Sequence, residues 1–216
     1  MLSASEIVTL HDQLTRAWHH APGGSVEDVP PSAGSSPAFG ANLDWMASVA
    51  RQHRANFDLW HIEDEARTPG ATDAELAGVK RRIDRTNQLR NDLAEELDRE
   101  LLDWLEVHGL PNPAAQLHSE SPSLIVDRLS ILALKIYHTR EEAERADAPP
   151  GHAARNQDRL TTLEQQREDL AGCLDSLWGE TLAGTRRFKL YRQLKMYNDP
   201  SLNPAIYSKP RKEQGR

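Results

Sequence analysis

The stretch Leu124-Ile-Val-Asp-Arg-Leu-Ser-Ile-Leu-Ala-Leu-Lys-Ile-Tyr-His138 decides the fold of this 216-residue chain. Its apolar residues cover nearly the whole circumference of a helix, which is the pattern of a central, buried helix. Asp127, Arg128, Lys135 and His138 interrupt that pattern. Because an unpaired buried charge is strongly destabilising, we expect Asp127 to meet a cation and Arg128 to meet an acid from a neighbouring helix.

Amphipathic spacing and capping signals predict the other helices of the chain. Residues 21–39 contain four prolines, three glycines and four serines, which is typical of a flexible linker. Alternating runs of β-branched residues are missing, so no sheet is expected. The sequence therefore predicts an all-α, antiparallel bundle of about five to six helices with a long Pro/Gly/Ser-rich loop after the first helix. The predicted helices span residues 3–20, 41–67, 72–107, 122–147, 152–182 and a short basic segment, 185–197.

These patterns also predict how the chain divides. Residues 1–20 form an N-terminal helix, residues 21–39 a linker, residues 40–198 the helical bundle domain, and residues 199–216 a polar, disordered tail. Surface-exposed Trp or Leu residues on the long third helix could support a homodimer, although nothing in the sequence fixes one.

Charge and cysteine content restrict the possible partners. The net charge is −7, which counts against binding to duplex nucleic acid. Nine Lys or Arg and two acids follow position 184, so the last 32 residues carry about +7 and the rest about −14. The single cysteine, Cys173, excludes an internal disulfide and a thiolate zinc site. No stretch is apolar enough to span a bilayer and no signal peptide is visible, so we expect a cytoplasmic protein.

Polar residues also occur at core positions of the second and third helices. Burying such groups costs about 2–7 kcal/mol each unless they find partners. We therefore expect polar side chains from separate helices to converge on a common hollow inside the bundle. The alternative is a polar network that only fixes helix register. The residues concerned are Trp60, His61 and Asp64 on the second helix, and Asp84, Asn87, Arg90 and Asn91 on the third.

The basic segment 185–197 interleaves cations with aromatic residues. Lys189, Tyr191 and Arg192 could grip a phosphate while stacking on a base or sugar. The alternative is a helix that packs its apolar residues on the bundle while its cations offset the acidic body.

Four blocks of this chain together resemble an uncharacterised bacterial family, the domain of unknown function numbered 4254. The likeness covers most of the chain outside the linker and the last dozen residues. The family name implies no activity, and its members tend to occur beside glycosyltransferases of surface-polysaccharide pathways. The blocks are Asn56–Arg67, Ile83–Asp92, Asp127–His138 and Arg186–Pro204.

The first functional hypothesis is a binding or accessory protein for an anionic metabolite such as a sugar nucleotide or sugar phosphate. Cationic side chains would hold phosphates, an aromatic ring would stack, and amides would read hydroxyl groups. The phosphate ligands would be Arg90, Arg128, Lys135, Lys189 and Arg192, the stacking residues Trp60 or Tyr191, and the amides Asn87 and Asn91.

The second hypothesis is a hydrolase of phosphate esters or nucleotide pyrophosphates. A divalent metal would be held by His61, Asp64 and Asp84. In a metal-free variant, His61 or His138 would be the general base, oriented by a carboxylate. The predicted catalytic residues are His61, Asp64, Asp127 and His138. A third hypothesis is a scaffold whose polar interior only fixes the fold.

Overall fold

A computed structural model of the protein describes residues 3–21, 45–194, 201–202 and 204. Five α-helices dominate this part of the chain, which confirms the predicted all-α bundle. They are α1 (Ala4–His20), α2 (Trp45–Glu65), α3 (Asp73–Val107), α4 (Pro122–Glu144) and α5 (His152–Leu182).

Local signals in the sequence set several helix ends. The Thr72 side chain accepts from the Glu75 backbone N–H, and the Thr72 backbone N–H donates to the Glu75 carboxylate, so a complete capping box opens α3. Pro122 occupies the first turn of α4, where its missing N–H costs nothing. Gly109, with φ of 70°, follows the end of α3 in a conformation that favours glycine.

Helices α2 to α5 alternate in direction along the bundle, as predicted. At the start of α2, the Trp45 indole N–H donates to the Leu97 carbonyl in the second half of α3. At the end of α2, Glu65 accepts from Arg82 in the first half of α3.

Helix α1 runs parallel to α2, because Thr15 contacts His53 and His19, further along α1, contacts His61, further along α2. Helix α2 in turn runs parallel to α4, because Gln52 contacts Asp127 and His61 contacts His138. The C-terminal ends of α1, α2 and α4 therefore gather at one end of the bundle.

Helix α4 lies at the centre of the molecule, as its apolar circumference predicts. The side chains that it buries pack with apolar residues of α1, α2, α3 and α5 in one core. Ile125, Leu129 and Leu134 are at most 1% exposed. This burial makes any polar group on α4 depend on partners from the surrounding helices.

The predicted basic helix at 185–197 is wrong where the structure describes it. Arg186–Arg187 form a strand (β2) paired in parallel with Gln116–Leu117 (β1), and residues 188–194 have no regular structure. Gly184, with φ of 72°, follows α5, and Phe188 then buries its ring in the core. One buried aromatic residue flanked by polar neighbours suits an extended chain as well as a helix. The prediction of no sheet is corrected by the same pair, and residues 195–197 lie outside the described ranges.

Two sequence predictions fall mainly outside the described residues: the linker at 21–39, of which only Ala21 is described, and the tail at 199–216. Among the described helices, none combines the length and apolar character needed to cross a membrane.

Candidate functional site

Three histidines from three helices converge at the end of the bundle where α1, α2 and α4 end. They are His19, His61 and His138, here called the imidazole triad. One nitrogen from each ring can be chosen so that all three lie within 4.8 Å of one another. The ring centroids are 4.9–5.9 Å apart, and all three residues are half-buried. Such a set places three imidazole nitrogens around one point.

Aromatic rings hold the triad from outside. Trp60 stacks on His138 with centroids 5.1 Å apart and planes 10° apart, and Tyr137 stacks on His19 at 4.2 Å. Phe57 presents its edge to both His19 and His61. These contacts restrict rotation of the imidazoles and provide an apolar wall, which raises the strength of any electrostatic contact made inside it.

Hydrogen bonds fix the ring orientation of two triad members. The Nδ1–H of His19 donates to the Thr15 carbonyl at 2.7 Å, and the Nδ1–H of His138 donates to Glu141 Oε2 at 2.9 Å. In the neutral ring each Nε2 therefore carries a lone pair. Neither Nε2 is exposed, and neither has a hydrogen-bond partner among the described residues. Two acceptor nitrogens thus remain available for a ligand.

Burial and repulsion between neighbouring rings disfavour the charged forms of His61 and His19. Partial burial is the main cause that lowers the pKa of His61, and the neighbouring His19 and His138 lower it further. Burial likewise lowers the pKa of His19, against an opposing contribution from its bond to the Thr15 carbonyl. Neutral imidazole is the form that binds metal ions.

The chemistry of the triad fits a transition-metal ion better than Mg²⁺ or Ca²⁺, which prefer oxygen ligands. Tetrahedral zinc at about 2.05 Å from each nitrogen requires nitrogen–nitrogen separations of about 3.3 Å. The nitrogens lie within 4.8 Å of one another in this structure, so a bound ion would have to draw the three rings closer together. A zinc ion held by these three residues would have only three protein ligands, which is the number typical of catalytic rather than structural zinc sites.

A second polar centre surrounds Asp127, about three turns before His138 on α4. Arg90 forms a side-on ion pair with Asp127, with Nε donating to Oδ1 at 2.8 Å. Gln52 and Asn56 donate to the same oxygen at 2.5 and 2.9 Å. Asp127 was expected to meet a cation, and that cation is Arg90. Eleven residues separate Asp127 from His138 on α4, about 16 Å along the helix.

A cavity of about 250 Å³ opens beside the Arg90–Asp127 pair. Its charged lining comprises one guanidinium, Arg90, and three carboxylates, Glu95, Asp98 and Asp127. Asp98 is only 3% exposed, and burial raises its pKa against the lowering effect of bonds from Ser121 and Ser123. The remaining polar lining residues include Asn91 and Tyr191. The carboxylate excess disfavours a phosphate in this cavity.

The sequence-predicted residues thus divide between two places rather than one common hollow. His61, His138 and Trp60 meet at the triad, whereas Asp127, Arg90, Asn91 and Tyr191 line the cavity. The expectation of a single convergence point is wrong, because Asp127 and His138 lie about three turns apart on α4.

Other predicted residues lie elsewhere. Asp64 has a side chain 61% exposed and pairs with Arg67, and Asp84 pairs with Lys80 on the surface of α3. Arg128 was expected to be buried, but its side chain is 53% exposed and pairs with Glu120, from the loop before α4. Asn87 is half-buried on α3, and Lys135, Lys189 and Arg192 are exposed.

Sequence reasoning missed His19. Its signal is visible in retrospect: His11, Thr15 and His19 recur every four residues on α1 and so share one face, beside the core residues Leu14 and Trp18. A polar line on the buried side of an otherwise amphipathic helix is the same signal that singled out α4.

Comparison with known proteins identifies the family of this chain but no activity. A family model described as "Protein of unknown function (DUF4254)" matches residues 46–190. The chain belongs to this family, which confirms the resemblance seen in the sequence. No curated protein and no solved structure matches the chain. The match begins after α1, so it includes His61 and His138 and excludes His19.

Proposed function

We propose that this protein is a metal-dependent hydrolase whose metal is held by His19, His61 and His138. The observation that carries the proposal is the convergence of three imidazole nitrogens within 4.8 Å, from three different helices, at a half-buried position. Ordinary packing gives no reason to place three polar rings together where each could have faced solvent. The two Nε2 atoms without partners among the described residues support the same conclusion.

Three neutral ligands leave the full charge of a divalent ion in the site. Such an ion lowers the pKa of a bound water toward neutrality and polarises a phosphoryl or carbonyl oxygen. The aromatic rings of Trp60, Tyr137 and Phe57 would exclude bulk water from one side of the centre. An anionic substrate is favoured because the ligands themselves contribute no negative charge, so we propose phosphate esters or pyrophosphates as the substrate class.

The first test is metal binding itself. The purified protein is stripped with chelator and titrated with Zn²⁺ and Co²⁺, the latter followed by its visible absorption. We expect one ion per chain for the wild type, and at least a hundredfold weaker binding for His19→Ala, His61→Ala and His138→Ala. Loss of stoichiometric binding in the wild type, or unchanged binding in all three variants, would overturn the proposal.

Matched controls come from histidines outside the triad. His118 bonds to the Glu120 carbonyl, and His152 pairs with Glu142 at the start of α5. His118→Ala and His152→Ala should leave metal affinity within twofold of the wild type. The metal-loaded protein is then assayed on nitrophenyl phosphate mono- and diesters, and turnover that is absent or insensitive to His61→Ala would contradict the hydrolase.

The cavity beside Arg90 supports a second candidate function, binding of a small polar metabolite. Its volume of about 250 Å³ suits a molecule of monosaccharide size, and four residues singled out by sequence line it: Arg90, Asn91, Asp127 and Tyr191. Because carboxylates outnumber cations there, we expect uncharged or amine-bearing ligands to bind in preference to sugar phosphates.

Thermal shift with matched pairs separates these ligands. Glucosamine and glucose differ by the amine, and glucose 6-phosphate adds the anion. A stabilisation by glucose 6-phosphate that Asn91→Ala abolishes would instead favour the anionic metabolite predicted from the sequence. The cytoplasmic location and the homodimer stay predictions, the latter open to sedimentation analysis.

A further inference from the structure

The three helices that carry the imidazole triad are also joined to one another at a second level. His53 of α2 contacts Thr15 of α1 through Nε2, at 3.0 Å from Oγ1. Its Nδ1 lies 2.7 Å from Oγ of Ser130 on α4. All three residues are at most 1% exposed. The Thr15–His53–Ser130 bridge therefore connects α1, α2 and α4 through one buried ring.

The bridge and the triad lie about one to two turns apart on each helix. Thr15 precedes His19 by four residues, and its carbonyl accepts from the His19 ring. His53 precedes His61, and Ser130 precedes His138, by eight residues each. Four residues rotate a helix about 40° beyond one turn and eight residues about 80° beyond two turns, so both layers lie within one broad face of each helix. A shift of any helix at the bridge therefore moves a triad ring.

The central ring of the bridge, His53, is fully buried and stacks on two other rings. His53 stacks on His11 with centroids 4.5 Å apart and on Trp18 at 5.4 Å. Full burial keeps the pKa of His53 well below its ordinary value, so the ring stays neutral, with one nitrogen donating and the other accepting. Such a ring bonds Thr15 and Ser130 in a fixed geometry and does not gain charge near neutral pH.

The bridge continues to the second polar centre. Asn56 Nδ2 lies 2.9 Å from Ser130 Oγ and 2.9 Å from Asp127 Oδ1, where Arg90 of α3 is paired. The sequence of contacts Arg90, Asp127, Asn56, Ser130, His53, Thr15 and His19 is therefore unbroken between cavity and triad. Coupling between distant sites requires a contiguous set of contacts of this kind, and a measurement of the coupling itself.

We infer that His53, Thr15 and Ser130 are positioning residues of the metal site, which hold α1 and α4 at the spacing that the three ligands need. This inference rests on the proposed metal site and names the part of the fold that builds it. Outer-shell partners of metal ligands contribute about 10–100-fold to metal affinity. A connection one layer further out should contribute at the lower end of that range.

Two small substitutions test the bridge. Thr15→Val removes the hydroxyl but keeps the side-chain shape and the carbonyl that His19 uses, and Ser130→Ala removes the other contact. We expect each to weaken Zn²⁺ and Co²⁺ binding about tenfold. The matched controls are Thr181→Val and Ser48→Ala. Thr181 is 0% exposed, and its hydroxyl donates to the Leu177 carbonyl one turn earlier on α5. Ser48 is 5% exposed, and its hydroxyl donates to Glu100 of α3.

Melting temperatures of the metal-free variants separate positioning from general destabilisation. Thr15→Val and Thr181→Val both remove a buried hydroxyl, so both should lower the melting temperature. Only Thr15→Val should weaken metal binding. When the wild type binds metal, equal losses of metal affinity in the bridge variants and their controls, or no loss in either, would overturn the positioning role.

A metal-independent measurement keeps the two proposals apart. Long-range ¹H–¹⁵N spectra of the histidine side chains, recorded without metal, report ring environment and tautomer. We expect the signals of His19 and His138 to shift or broaden in Thr15→Val and Ser130→Ala but not in the controls. If the wild type binds no metal yet these shifts occur, the metal proposal fails and the positioning role stands. Unchanged spectra in the bridge variants would refute that role whatever the metal result.

Discussion

His138 and Glu141 lie one turn apart on α4, and the ring Nδ1–H donates to the carboxylate at 2.9 Å. The same carboxylate bonds the Tyr137 hydroxyl and, after burial, is the main cause that raises the pKa of that tyrosine. Glu141 therefore fixes both the tautomer of His138 and the ring that stacks on His19. A carboxylate on the outer nitrogen also makes the inner nitrogen a stronger ligand.

Replacing Glu141 should weaken the metal site without removing a ligand. We expect Glu141→Ala to lower Zn²⁺ affinity about tenfold, and Glu141→Gln to lower it less, since an amide oxygen can still accept from His138. A chelator-competition titration measures both effects. The neighbouring Glu142→Ala is the control, because Glu142 pairs with Arg145 and His152 instead. Equal effects at 141 and 142 would contradict the role assigned to Glu141.

Acid stability should depend on His11. This ring is 0% exposed and stacks on His53, and burial, aided by Arg167, lowers its pKa to about 3. The unfolded ring titrates near 6.5, so below that pH the unfolded state binds a proton that the folded state does not. The contribution of His11 to stability is therefore complete above pH 6.5 and is lost as pH falls toward 3, by about 2 kcal/mol at pH 5.

Urea unfolding of His11→Leu at pH 7.5 and pH 5 checks this effect. We expect the free energy of unfolding to fall between the two pH values by about 2 kcal/mol less in the variant than in the wild type. His20→Gln is the control, because His20 is exposed at the end of the same helix. A pH dependence that His11→Leu leaves unchanged would assign the acid sensitivity to other groups, such as the buried His53.

The sequence predicts the long helices well because their signals are local. Thr72 and Glu75 open α3, Pro122 opens α4, and the apolar circumference of α4 requires a central position. The segment 185–197 was predicted as a short basic helix, on which Phe188, Tyr191 and Leu194 would pack against the bundle. Its actual conformation depends on pairing with Gln116–Leu117, some 70 residues earlier, and no local pattern contains that information.

The site was only partly predictable for a similar reason. Burial of Asp127 and the unusual positions of His61 and His138 could be read from helical spacing. The third histidine, His19, lies on a helix separated from α2 by a long Pro-rich segment, so nothing local indicates that α1 runs parallel to α2. The predicted ligands Asp64 and Asp84 are surface residues paired with Arg67 and Lys80, since a one-position rotation around a helix moves a side chain from core to solvent.

The Arg90–Asp127 pair should matter much more for stability than the adjacent pair Arg128–Glu120. The Asp127 side chain is 11% exposed and accepts four hydrogen bonds, two of them from Arg90. Asp127→Ala leaves Arg90 without its counter-charge and should cost about 3 kcal/mol in the free energy of unfolding. Glu120→Ala breaks a pair whose arginine is 53% exposed and should cost less than 1 kcal/mol.

A double-mutant cycle separates the pair from the desolvation that its loss causes. Arg90→Met and Asp127→Leu should each destabilise the protein strongly, because each leaves one buried charge alone. The double variant should lose less than the sum of the two, because an apolar pair of similar volume needs no counter-charge. Urea unfolding of the four proteins gives the coupling energy directly. Additive losses would mean that the two side chains act independently, and Gln52 and Asn56 would then be the groups that make Asp127 tolerable in the core.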